Sequence, residues 1–133
     1  GSSKVMAIDS EIIDSILRDF VTDTRHVQGA VLVTLEGLPI AGRLPDTLDM
    51  ARAAAMAAAV MTIGDRVGED IQRGPVQQML VQGSAGYSIL SVCGDEALFV
   101  ALTSLDIQQG LLLIEIKRIV EEISQIMSIS KKY

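Results

Sequence analysis

At 133 residues the chain has the length of one domain, and a second core has no room in it. Hydrophobic residues make up 49% of it, yet no uninterrupted apolar stretch reaches the roughly 20 residues that cross a bilayer. A net charge of -6 with only 11 Lys and Arg argues against nucleic acid and anionic lipid as ligands, and the lone Cys93 excludes an internal disulfide and suits a reducing cytoplasm.

Gly1-Ser2-Ser3 reads as the remnant of an expression tag, residues 1–8 as a tail, 9–128 as the domain and 129–133 as a second tail. From Asp9 to Thr24, Ile12, Ile13, Ile16, Leu17, Phe20 and Val21 recur at helical spacing, with Asp9 or Ser10 placed to cap. Ala30 to Leu35 is an apolar, β-branched run too continuous for an edge strand; after Glu36-Gly37 the segment Leu38 to Gly42 returns as its hairpin partner. Pro39 cannot donate to a central ladder, so this second strand belongs at an edge or a bulge.

Asp46 and Asp49 mark a helix start, and the helix over 46–67 is mostly alanine, with Met50, Met56 and Met61 as its larger side chains. Its apolar circumference is broader than one buried stripe, so one face covers the sheet and another needs a second helix. Three strands follow: Val76 to Gln82, Tyr87 to Val92 and Ala97 to Leu102, joined by turns at Gly83-Ser84-Ala85-Gly86 and Cys93 to Glu96. The last is wholly apolar and therefore central. The first is half polar, with Gln77, Gln78 and Gln82, which suits the border of the sheet and leaves an open edge. A final helix from Asp106 through Met127 buries Leu112, Ile116, Ile119, Val120, Ile123 and Ile126. Hairpins dominate this order, so the domain is α/β of the α+β kind, an antiparallel sheet with helices on its faces.

Nothing in the chain assembles into catalysis. Cys93 and His26 fall at separate element ends, and one Cys with one His is too few for an ordinary zinc site. The Gly83 to Gly86 segment precedes a strand, and no Gly-Lys-Ser or Gly-Lys-Thr follows, so it is a hairpin turn and not a phosphate loop. Turn and capping roles account for Asp95, Glu96 and Asp106. The expectation is a protein with no enzymatic activity, cofactor or metal, acting through its surfaces.

Several segments, in order, carry a family likeness: Val31 to Ala41 with its acidic-Gly turn, the small-residue second helix, Gly86-Tyr87-Ser-Ile-Leu, Asp95 to Ala101 and Gly110 to Arg118. Over Ile12 to Met127 the chain resembles the roadblock, or roadblock and dynein light chain, family. That resemblance implies a five-stranded antiparallel sheet of order 2-1-5-4-3, with the first and third helices on one face and the second on the other. It also implies a homodimer in which the third strands pair and the second helices pack, assigning Ala51, Ala54, Ala55, Ala58, Val76, Gln78, Leu80 and Gln82 to the dimer interface. Such proteins are scaffolds and regulators of small Ras-like GTPases, which makes Arg52, Met56 and Arg66 the candidate partner-binding residues. A small-molecule-sensing domain, or an adaptor subunit with no GTPase to regulate, are the competing expectations.

Overall fold

In chain order the elements are α1 (Ser2–Asp23), β1 (Val27–Thr34), β2 (Pro39–Arg43), α2 (Met50–Asp70), β3 (Gln78–Gln82), β4 (Tyr87–Cys93), β5 (Ala97–Thr103) and α3 (Gln109–Lys131). This computed structural model describes the backbone of residues 2–131 and the side chains of residues 10–129. Gly1, Lys132 and Tyr133, parts of the two expected tails, lie outside the described residues, as does any side-chain cap from Asp9.

All five strands form one antiparallel sheet of order β2-β1-β5-β4-β3, as the resemblance implied. Strand alternation divides the core in two. Ala30 and Leu32 of β1 pair with Ala101 and Phe99 of β5 and turn toward α1 and α3, where Leu17, Phe20, Ile116 and Ile119 pack. Val31 and Val33 pair with Val100 and Leu98 on the other face and are covered by Ala54, Ala57, Ala58 and Met61 of α2. β5 is therefore buried on both sides, which is why it reads as a continuous apolar run. Phe20 meets Phe99 with ring centroids 5.7 Å apart and planes tilted by 59°, a favourable aromatic geometry.

The edge position of β2 follows from Pro39, and its pairing with β1 slips between Leu32 and Val33, consistent with a missing donor. The turn before it places Gly37 at φ 95, a conformation that side chains resist, while the Thr34 amide donates to the Leu38 carbonyl at 2.8 Å.

Element ends differ from the sequence reading in several places. α1 already runs from Ser2, because Ser3 to Ile8 holds no Gly or Pro to stop it; Asp9 and Ser10 are interior, and most of the expected 1–8 tail is helix. α2 starts at Met50 with Asp49 as its cap, accepting from the Arg52 amide at 3.2 Å, while Asp46 stays outside in the preceding turn. α2 also continues past Val67 to Asp70, since Gly68 leaves room for the Gly74 carbonyl to pass close by. β3 begins at Gln78 and not Val76, because the Val76 amide is diverted to Asp65 Oδ1 of α2 at 3.1 Å. α3 starts at Gln109, the Asp106 amide being bonded to Ser104 Oγ at 3.3 Å in the connecting turn, and it continues beyond Met127 to Lys131.

Close packing at the β4 entry gives a sharp contrast between two glycines. A Cβ on Gly86 would collide with the Thr103 backbone carbonyl, whereas one on Gly83 would meet the nearest atom at an ordinary 3.6 Å. Gly86→Ala is expected to lower the unfolding free energy by about 1–3 kcal/mol in urea denaturation. Gly83→Ala should stay within about 0.5 kcal/mol of the parent.

Candidate interaction surface

α2 advances 100° per residue, so its positions sort into faces. Ala54, Ala57, Ala58, Met61, Gly64 and Gly68 point into the sheet. The outward face carries Arg52, Ala55, Met56, Ala59, Ile63 and Arg66, all exposed. Neither arginine makes an ion pair among the described residues.

On the flank of α2 nearest the β3 border, the larger apolar side chains line up. Val60, Ile63, Val67 and Ile71 face Val76 and Met79 across an apolar groove of about 500 Å³. Ile63 is 63% exposed, and Met56 and Val67 continue the same ridge. Leaving this much contiguous aliphatic surface in water costs roughly 25 cal/mol per Å², which makes this flank the candidate contact surface of α2.

β3 borders the groove and has β4 as its sole neighbour in the sheet. The Gly83 amide bonds the Gly86 carbonyl at 2.9 Å and the Val92 amide bonds the Gln77 carbonyl at 3.0 Å. With the pairing Met79 to Leu90 and Val81 to Ser88 between them, odd-numbered residues exchange bonds with β4. The backbone groups of Gln78, Leu80 and Gln82 therefore point outward to an unfilled ladder position. Their side chains are all exposed, Leu80 on the α1 and α3 side and Val81 on the α2 side.

Eight residues were expected at a subunit interface, and the structure separates them. Gln78, Leu80 and Gln82 sit together on the open edge, and Val76 is half-buried beside the groove. Ala51 and Ala55 are exposed on α2, with Ala55 on the side of the β1–β2 turn, where its Cα lies 3.1 Å from a Cβ built on Gly37. Ala54 and Ala58 require correction: at 0% and 8% exposure they are spent against the sheet within one protomer. Small side chains at these positions let α2 approach the strands closely, so their size reflects the core and not a neighbour. Sequence reasoning missed Ile63, Val67 and Ile71. The signal was present, since 63 and 67 follow Met56 at helical spacing, but alanine content drew attention to the smaller residues.

The groups weighed for catalysis are not gathered. Cys93 pairs with Ala97 at the start of β5, whereas the His26 carbonyl accepts from Ser104 just beyond its end, so the two lie at opposite ends of the sheet. Burial pushes the Cys93 thiol above its ordinary value of 9.0, against a smaller opposing effect of its contact with the Ser124 hydroxyl. The thiol lies 3.6 Å from Ser124 Oγ and 3.7 Å from the Val120 carbonyl, and is packed as a small apolar group. Asp95 and Glu96 occupy the β4–β5 turn and Asp106 the β5–α3 turn, again at opposite ends. Among the described residues no helix is long and apolar enough to cross a membrane.

A five-stranded antiparallel sheet, two helices on one face and one on the other, with an exposed third strand beside the single helix, defines a roadblock-type domain. The Roadblock/LC7 domain model matches residues 13–103, and the chain belongs to that family. Among curated proteins it is 31% identical over 112 residues to the uncharacterised protein MJ1340 of Methanocaldococcus jannaschii, covering 84% of this chain and 96% of that one. Among solved structures it is similar to Myxococcus xanthus MglB, with a TM-score of 0.85, 16% identity and 91% of each chain covered. It is also similar to a Roadblock/LC7 domain from Streptomyces avermitilis, with a TM-score of 0.81, 21% identity, and 86% and 97% covered. At those identities the two structures establish the fold.

The buried thiol yields a test of the packing around β4. Because its folded value is raised, the neutral thiol contributes stability in full below pH 9.0, and the contribution fades as pH climbs through the folded value. Iodoacetamide at pH 8 is expected to leave Cys93 unmodified in the native protein, by mass spectrometry, and to alkylate it fully in denaturant; rapid native labelling would contradict the burial.

Proposed function

We propose that this chain is a homodimeric, non-enzymatic roadblock scaffold that binds a small Ras-like GTPase and positions it or modulates its nucleotide cycle. The observation that carries the reading is one coincidence of place: an unfilled strand edge and an apolar helical ridge lie side by side on the same border of the domain. Both liabilities are removed together if β3 of a second copy completes the ladder and its α2 ridge packs on this one. The self-complementary geometry of a two-fold axis satisfies this with one patch used twice.

In that dimer the apolar flank of α2 is consumed, while its outermost face stays available. Arg52 and Arg66 then lie on a broad, gently contoured surface spanning both subunits, two cations in an otherwise acidic protein. Family resemblance supplies the GTPase as partner; the two arginines supply charge suited to an acidic switch region or to phosphate oxygens. The groups weighed for catalysis lie apart in this chain, so the nucleotide and its chemistry belong to the partner.

Two substitutions separate the surfaces. Ile63→Asp leaves the protomer core untouched, since the side chain is 63% exposed, but places a charge in the helix contact. Light scattering coupled to gel filtration should show the parent as a dimer and Ile63→Asp as a folded monomer; a parent that is monomeric at micromolar concentration removes the proposal. Arg52→Glu with Arg66→Glu should leave the dimer intact and abolish recovery of a GTP-binding protein in affinity purification from the native host. Undiminished recovery would place the GTPase elsewhere.

A further inference from the structure

On the opposite face a cleft of about 730 Å³ lies between the end of α1 and the start of α3. Its apolar wall is formed by Ile16, Phe20, Leu111, Leu112 and Ile119. Phe20, Leu112 and Ile119 anchor in the core, but Leu111 is 58% exposed and projects from the first turn of α3. Leu105 and Ile114, both exposed, extend apolar surface around this helix start.

The rim is acidic. Five carboxylates, of Asp19, Asp23, Asp106, Glu115 and Glu122, line the cleft together with two arginines, Arg25 and Arg118. Arg118 is already engaged, bonded to Glu115 at 2.8 Å and 3.7 Å from Glu122. Asp19 meets Arg18 at 3.7 Å, whereas Asp23 and Asp106 make no ion pair among the described residues. α1 also ends with no basic residue in its last turn, so Asp19 and Asp23 add their charge to the negative end of the helix dipole. Such an arrangement is unfavourable within the chain and is relieved by an external cation.

We propose that this cleft is a docking site for an amphipathic helix of a partner protein, one that presents Leu or Ile side chains on one face and Lys or Arg on the flanks. The apolar wall takes the first set and the rim takes the second; a third helix laid against two is a recurrent recognition mode. Charge complementarity selects this occupant over an acidic peptide or an anionic membrane, both of which the rim repels. The site shares no residue with the α2 and β3 surface and lies across the sheet from α2, so it stands independently of the proposed dimer. Both surfaces are open at once, which makes the chain a two-sided adaptor.

The experiment is a titration of isotope-labelled protein with a synthetic amphipathic helix of leucine and lysine, followed by amide NMR. Saturable shifts are expected at Phe20, Leu112 and Ile119, weakening as salt rises. Affinity should fall about tenfold or more in Asp23→Lys with Asp106→Lys, and likewise in Leu111→Ser, all at exposed positions that leave the core intact. The same peptide with glutamate in place of lysine should not bind. Equal binding of the glutamate peptide, undiminished affinity of the variants, or shifts confined to α2 and β3 would overturn the site. So would cleft shifts produced by unlabelled protein alone, which would make a second copy the occupant.

Discussion

Burial of β5 on both of its faces is the constraint on which the architecture rests. A strand whose side chains alternate Leu98, Val100 and Leu102 against Ala97, Phe99 and Ala101 has no wet side, so each face of the sheet must be roofed. The roofs are unequal. Phe99 demands depth and receives two helices rich in Leu and Ile, while the opposite face is sealed by alanines that bring α2 close. Flanked by β1 and β4, the central strand pushes β2 and β3 to the borders.

The two borders are managed differently. β2 is a poor template, with Pro39 and an interrupted register. β3 is regular over all five residues, pairs without a slip, and offers outward groups at every second position. Next to it the flank of α2 carries its bulkier aliphatic side chains, Val60, Ile63, Val67 and, at its C-cap, Ile71. A protein in which one edge is blunted and the other left open beside a greasy flank is organised around that open side.

Much of the architecture was legible from sequence because it rests on pattern. Period-two alternation, the continuous apolar β5, the turn glycines and Pro39 each fix one feature locally, and their order was enough to suggest the roadblock family that the domain match and the topology bear out. Helix starts were less legible: Asp46, Asp106 and Asp9 all have capping chemistry, but a turn bond from Ser104, a cap by Asp49 and an unbroken helical stretch before Asp9 decide otherwise. Which face of α2 is free was the hardest point. When nearly every residue is alanine, hydrophobicity has no direction, and only the position of the sheet tells Ala54 and Ala58 from Ala55 and Ala59. The acidic cleft was invisible for another reason, since Asp23 and Asp106 lie far apart in the chain and come to line one cleft only through the α1 and α3 packing.

Concentration-dependent hydrogen exchange at β3 tests the central claim most directly. Amides of Met79 and Val81 bond within the protomer and serve as internal controls, while those of Gln78, Leu80 and Gln82 face the open edge. Strong protection of the Leu80 amide at high protein concentration, lost on dilution while Met79 stays protected, is the result the account predicts. Rapid exchange of Leu80 at every concentration would contradict it.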